Sequence, residues 1–237
     1  MTTFLLVDNG SIKAAATLQL RRIAQQLSEC SGKHVYPVSL QHAGRIPKEA
    51  LEGIRAAVFT DFLRQKLTAG ERHFRVLPLF FGHSRALSAF IPEQQALLEQ
   101  DFGCFTLTLA DVLYPLPEGN KCLVDIIYDH IQQTAIKASL PLKNIVLVDH
   151  GSPSPQVTEV RNEVKNQVHA QLKQIIPSID LSSAAMERRA GLCYDFNGIL
   201  LVDWLRKKAE QGESSAIVAL LFSLPGRHAG DGGDIVT

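Results

Sequence analysis

Asn144-Ile145-Val146-Leu147-Val148-Asp149-His150-Gly151-Ser152 reads as a buried strand running into a tight turn. Its β-branched apolar run suits a parallel strand covered on both faces, and the glycine ends it. In open α/β sheets, reactive groups lie just beyond the carboxyl ends of such strands. His150 stands at that place. The pattern occurs a second time near the start of the chain. Leu5-Leu6-Val7-Asp8-Asn9-Gly10-Ser11 aligns without a gap with residues 146–152, and His150 follows Asn9 by 141 positions. The one chemical difference is an amide where the second copy has an imidazole.

Outward from these two turns, strand and helix signals alternate. Strands are predicted over 4–7, 34–40, 73–81 and 104–109, then over 145–148, 179–186 and 215–224. Helical spacing is found over 13–27, 47–55, 58–67, 92–99, 121–138, 155–176 and 196–208. Alternating strands and helices with crossovers of a dozen or more residues imply parallel sheets. Two similar halves of this kind predict two flavodoxin-like lobes with parallel sheets and a cleft between them. Pro141 marks the expected boundary, giving an N-terminal lobe over 1–140 and a C-terminal lobe over 141–237. A looser echo relates Leu77–His83 to Leu220–His228, with a shift of 145 between the histidines.

The 237 residues suffice for two lobes, each with its own core. With 24 basic and 24 acidic residues the formal charge is zero, which argues against a general nucleic-acid binder. No apolar run approaches the roughly 20 residues that span a bilayer, and the start lacks a basic leader region. A cytoplasmic protein is therefore expected, with no membrane partner. The four cysteines, Cys30, Cys104, Cys122 and Cys193, form no C-x-x-C pair and read as reduced, mostly packing residues.

Three strand ends in the second half carry His150, Glu187 and His228. On one sheet edge they would project imidazole, carboxylate and imidazole into one crevice. That donor set suits a first-row divalent ion such as Fe(II), Co(II), Ni(II) or Zn(II). The matching places in the first half hold Asn9, about Gln41, and His83. Amides are poor divalent-metal ligands, so the first lobe is expected to have a degenerate site. His83 is left as a proton carrier, a substrate contact or a strand-end cap. The tail Gly230-Asp231-Gly232-Gly233-Asp234 could turn backbone N–H groups toward an anion, or simply open a helix. Arg188, Arg189 and Arg227 are placed to meet carboxylates, or to be solvated surface charge.

V-L-V-D-H-G-S at 146–152, A-M-E at 185–187 and L-F-S-L-P-G-R-H-A-G-D-G-G-D-I at 221–235 together resemble the class II tetrapyrrole chelatases. The nearest pattern is that of sirohydrochlorin cobaltochelatases and ferrochelatases in their two-lobed form. The resemblance implies insertion of Co2+ or Fe2+, with Ni2+ a further candidate, into sirohydrochlorin for cobalamin or siroheme synthesis. The metal is then a substrate, and no organic cofactor is implied. Carried residue by residue, the metal ligands and catalytic residues fall on His150, Glu187 and His228. Asn9, His83 and Arg227 become candidate substrate contacts. The chain departs from the two-lobed pattern at Asn9, where a histidine is expected, and it lacks a His-rich tract and a C-terminal cysteine cluster. Two rival readings remain at this point. One is a carrier that binds metal or tetrapyrrole without turnover. The other is a histidine-type phosphatase, which Asp149 disfavours because an acidic neighbour repels phosphate.

Overall fold

A computed structural model describes residues 2–230 and 233–235. It contains two parallel sheets. The first has four strands in the order β2-β1-β3-β4, and the second has three in the order β6-β5-β7. β1 (Thr3–Asp8), β2 (Val35–Ser39), β3 (His73–Pro78) and β4 (Thr106–Leu109) are all paired in parallel. So are β5 (Ile145–Asp149), β6 (Leu181–Ala185) and β7 (Ile217–Leu220). This is the expected class, two parallel flavodoxin-like sheets, each with the duplicated strand at its centre.

The strands form where apolar side chains are buried on both faces. Ile145, Val146, Leu147 and Val148 are all fully buried. Among the described residues, six helices supply the covering layers: α1 (Ala14–Ser31), α2 (Phe59–Thr68), α3 (Ile91–Phe102), α4 (Lys121–Lys137), α5 (Pro155–Lys173) and α6 (Leu201–Glu210). α1 stops at Gly32, whose φ of 65° provides the left-handed cap that ends many helices. α4 starts at Asn120, whose side chain accepts the Leu123 N–H. α5 begins with Pro155, whose missing N–H costs nothing in the first turn. Its buried stripe of Val160, Val164, Val168 and Leu172 covers β5 and β6.

The two copies agree in detail beyond the central strand. α1 begins at Ala14 and α5 at Pro155, the same 141-residue shift. Ser11 and Ser152 each accept, through the side-chain oxygen, the N–H two residues on. Isolated parallel bridges join Ser39 to Val58 and Ala185 to Leu200, at corresponding places beyond β2 and β6.

Local extents differ from the sequence expectation for identifiable reasons. The strand within the apolar run over 73–81 ends at Pro78. Leu79 N–H still bonds to Val7 O on β1 at 2.7 Å, and Leu79 and Phe80 pack against the cores of the first unit. Residues 47–55 form a short 3-10 turn, Lys48–Leu51, instead of an α-helix. The helix expected over 196–208 begins later, at Leu201, after a 3-10 segment over Leu192–Asn197. The cysteines are a correction: all four are free, as expected, but exposed rather than packed. Cys30 and Cys122 lie near helix ends, Cys104 in the loop before β4 and Cys193 in a 3-10 segment.

The chain divides into two compact units, Met1–Leu113 with Ser223–Thr237, and Tyr114–Phe222. These differ from the expected 1–140 and 141–237. α4 belongs with the second unit because it packs against α5 and β7. The segment after β7 belongs with the first, where Leu224 packs with Leu6, Leu20 and Ala24. Among the described residues, no helix is long and apolar enough to cross a membrane.

Asp8, at the end of β1, illustrates an uncompensated buried acid. Burial pushes its carboxyl above the ordinary value, against hydrogen bonds from Ser39 and the Gly10 N–H. Its Oδ1 has no hydrogen-bond partner among the described residues. An acid whose pKa rises on folding contributes stability while protonated, and that contribution is lost as pH rises through the folded pKa. Asp8→Asn should therefore match the parent below about pH 4 and exceed it at neutral pH by roughly 1 kcal/mol. Urea midpoints at the two pH values check this. A parent at least as stable as the variant at pH 7 would contradict it.

Candidate metal centre

The site is built by two adjacent strand ends of the second unit. β5 and β6 pair up to Asp149 and Ala185. Two further backbone bonds extend the ladder: Met186 N–H to Asp149 O at 2.9 Å, and Glu187 N–H to His150 O at 3.1 Å. His150 and Glu187 are thereby fixed side by side just past the sheet. Their side chains approach with His150 Nε2 at 3.5 Å from Glu187 Oε1. Both are about half exposed, 58% and 50%. A nitrogen and a carboxylate oxygen at this separation, open to solvent, can accept a cation between them.

Gly151 makes the approach possible. Its φ is 91°, and a Cβ there would stand 1.9 Å from the Glu187 carbonyl oxygen. Only glycine fits both the left-handed backbone and the neighbouring chain. The first unit repeats this geometry with different chemistry. Gln41 N–H bonds to Asn9 O at 3.1 Å, and a Cβ on Gly10 (φ 87°) would meet Gln41 O at 1.8 Å. Asn9 and Gln41 thus stand in the places of His150 and Glu187, as the sequence alignment suggested.

An open cavity of about 290 Å³ is lined by His150, Gly151, Ser152, Pro153, Glu187, Arg188 and Arg189. Of its two arginines, Arg188 is held by Asp195 at 3.0 Å. Arg189 lies over the Tyr194 ring, with its guanidinium carbon 5.9 Å from the centroid. Beneath the turn, Asp149 is buried and bonded to Arg161 at 2.9 Å. Burial pushes the Asp149 carboxyl above its ordinary value, against the pull of the Arg161 guanidinium.

His228 lies on the segment that belongs to the first unit. It is 5% exposed, and its Nδ1 is 2.9 Å from Asp234 Oδ2. Two backbone bonds close this loop, Asp234 N–H to Arg227 O at 3.0 Å and Ile235 N–H to His228 O at 3.3 Å. A carboxylate on one ring nitrogen fixes the tautomer and orients the ring. Asp234 is the His228 partner that sequence reading missed, since it was read there only as part of the glycine-rich tail. The signal was a carboxylate six positions after a histidine in a glycine-rich loop. Arg227 is exposed, with Nε 3.4 Å from the same carboxylate. The loop's expected anion cradle includes Asp231 and Gly232, which lie outside the described residues. His83 is exposed, beyond the end of β3.

No protein-family model matches the chain, and no curated protein is significantly similar to it in sequence. Solved structures are similar in fold. SirB from Bacillus subtilis, solved with Fe3+, aligns over 92% of this chain and 87% of its own, with a TM-score of 0.58 and 13% identity. The sirohydrochlorin chelatase SirB from Bacillus subtilis subspecies spizizenii, solved with cobalt, covers 92% of this chain and 86% of its own, with a TM-score of 0.52 and 13% identity. The class II chelatase resemblance carried by the H-G-S turn and the H-A-G-D-G-G-D-I tail is thus matched by the architecture, and this chain has the fold of the SirB chelatases.

Proposed function

We propose that this protein inserts a divalent metal ion, Co2+ or Fe2+, into sirohydrochlorin, as a chelatase of cobalamin or siroheme synthesis. The observation that carries the reading is the His150–Glu187 pair, held at adjacent strand ends in a fold shared with SirB. His228, oriented by Asp234, is proposed as the third ligand.

The chemistry is coherent with these groups. Insertion requires an ion held beside the macrocycle, loss of two pyrrole protons, and replacement of protein ligands by ring nitrogens. Two neutral imidazoles and one carboxylate bind a first-row ion while leaving coordination positions open. An open site releases its ion, whereas a closed structural site retains it. A neutral histidine is also a proton acceptor near neutral pH. The exposed guanidinium of Arg189, on the cavity wall beside His150, suits a peripheral carboxylate of the substrate. Asn9, His83 and Arg227 are kept as candidate substrate contacts. The reaction involves no organic cofactor and no nucleic acid, and the cytoplasm is the proposed location.

The test is steady-state insertion, followed by the absorbance change of sirohydrochlorin with Co2+ or Fe2+ supplied anaerobically. Repeated turnover well above the uncatalysed rate is expected with at least one of the two metals. Stoichiometric binding of metal or macrocycle without turnover would replace the chelatase by a carrier. The amides Asn9 and Gln41 in the first unit are the feature that favours that second reading.

A further inference from the structure

The turn that carries His150 rests on a buried polar assembly with no counterpart in the first unit at the aligned helix position. Arg161 projects from α5 and is 2% exposed. Its Nη1 donates to Asp149 Oδ1 at 2.9 Å, and its Nη2 donates to the Asn197 carbonyl at 3.0 Å. Asn197 is fully buried, and its side-chain amide brackets Ser152. Asn197 Oδ1 accepts the Ser152 N–H at 2.8 Å, while Nδ2 donates to Ser152 O at 2.9 Å and to Tyr194 O at 3.1 Å. The Thr158 hydroxyl also donates to Asn197 Oδ1, at 3.3 Å. The bonds therefore run from Asp149 through Arg161 and Asn197 to Ser152, and they flank His150 and Gly151 on both sides.

The first unit is an internal control. At the 141-residue shift, Arg161 corresponds to Leu20, which is 1% exposed, and Thr158 to Thr17, also buried. The first unit makes the same strand, the same turn and the same glycine contact with leucine at this place. The fold alone does not need the arginine. A buried ion pair is also weak as a stability device, because apolar replacement of both partners is often neutral or favourable. What distinguishes the second unit is that its turn carries an imidazole rather than an amide.

We infer that Arg161 and Asn197 are positioning residues, a buried clamp on Asp149 and Ser152 that sets the His150 backbone for metal binding. The inference rests on the proposed chelatase reading. Groups that orient a metal ligand typically change affinity or activity by about 10–100-fold when removed.

Three variants test it in the full chain: Arg161→Leu with Asp149→Asn, Asn197→Ala, and Arg161→Lys. The double substitution copies the apolar residue of the first unit and leaves no buried charge unpaired. Co2+ affinity, kcat and KM for sirohydrochlorin, thermal midpoint, and amide hydrogen exchange over residues 150–153 are measured for each. The double variant should stay folded and show faster exchange in the turn. Its Co2+ affinity and kcat should fall about 10–100-fold with KM for sirohydrochlorin unchanged. Arg161→Lys, which keeps the charge but loses the fork, should recover part of the loss. Should the double variant fail to fold, Asn197→Ala carries the same expectation. Folded variants whose Co2+ affinity and kcat equal the parent's would overturn the inference while leaving the chelatase reading intact. Reduced affinity with unchanged exchange in the turn would overturn it too. A parent that neither binds Co2+ nor inserts it would remove the chelatase reading itself, and the inference with it.

Discussion

Replacing Gly151 by alanine is expected to cost about 4 kcal/mol or more of folding stability, at the extreme end of single substitutions. Two penalties combine. The residue has a φ of 91°, where a side chain is strained, and the new Cβ would lie 1.9 Å from the Glu187 carbonyl oxygen. That obstacle is backbone, so it cannot rotate away as a flexible side chain would. Relief requires the end of β6 to move away from β5, breaking the Glu187-to-His150 backbone bond and separating the proposed ligands. Gly212 provides the control. Its φ is 81°, but a Cβ there meets nothing within 4 Å. Gly212→Ala should cost only the left-handed strain, about 1–2 kcal/mol. Gly10→Ala should resemble Gly151→Ala, because its Cβ would lie 1.8 Å from Gln41 O. Urea unfolding of the three variants decides the matter. Equal losses at Gly151 and Gly212 would show that the strand ends are not in the described contact.

The second large effect is expected at His150. Alanine removes one imidazole from the proposed ion site and should lower Co2+ affinity and insertion together by about 100-fold or more, beyond the usual effect of an outer group. Glu187→Gln should act in the same direction, since it removes the charge and almost no volume. Asn9→Ala should change both far less, although Asn9 occupies the same place on its own sheet. All three side chains are exposed or half-exposed, so folding should be little affected. Affinity of the parent should also fall in acid, because protonated imidazole does not bind metal. Isothermal titration with Co2+ and parallel insertion assays check the set. Equal losses in Asn9→Ala and His150→Ala, at unchanged stability, would place the function elsewhere.

The centre of each sheet was legible because I-V-L-V-D and F-L-L-V-D combine a buried apolar run with a turn glycine, and both signals are local. The pairing of Asn9 with His150 followed from the shift between the copies, and that of about Gln41 with Glu187 from V-S-L-Q-H against A-A-M-E-R after the next strand. The ends of β3 and β7 were less legible. Leu79, Phe80 and Leu224 are packed beyond the ends of the strands, and hydropathy does not tell such packing from the strand itself. The side to which α4 belongs was not legible, because it is amphipathic in either unit and its packing on α5 and β7 is a long-range choice. Arg161 reads from sequence as an ordinary helix charge. Only the fold places it under Asp149, and only the comparison with Leu20 makes it informative. Asp234 was likewise hidden, since a carboxylate in a glycine-rich loop has no fixed direction until the loop closes on His228.

The proposed presentation of a metal ion to a tetrapyrrole by His150, Glu187 and His228 is tested most directly in a single turnover. Protein loaded with one equivalent of Co2+ is mixed anaerobically with sirohydrochlorin, and the macrocycle absorbance is followed. The loaded protein should metallate the ring well above the rate given by the same concentration of free Co2+. His150→Ala and His228→Ala should each lose that advantage. A ring that acquires cobalt no faster from the loaded protein than from free Co2+ would contradict the account.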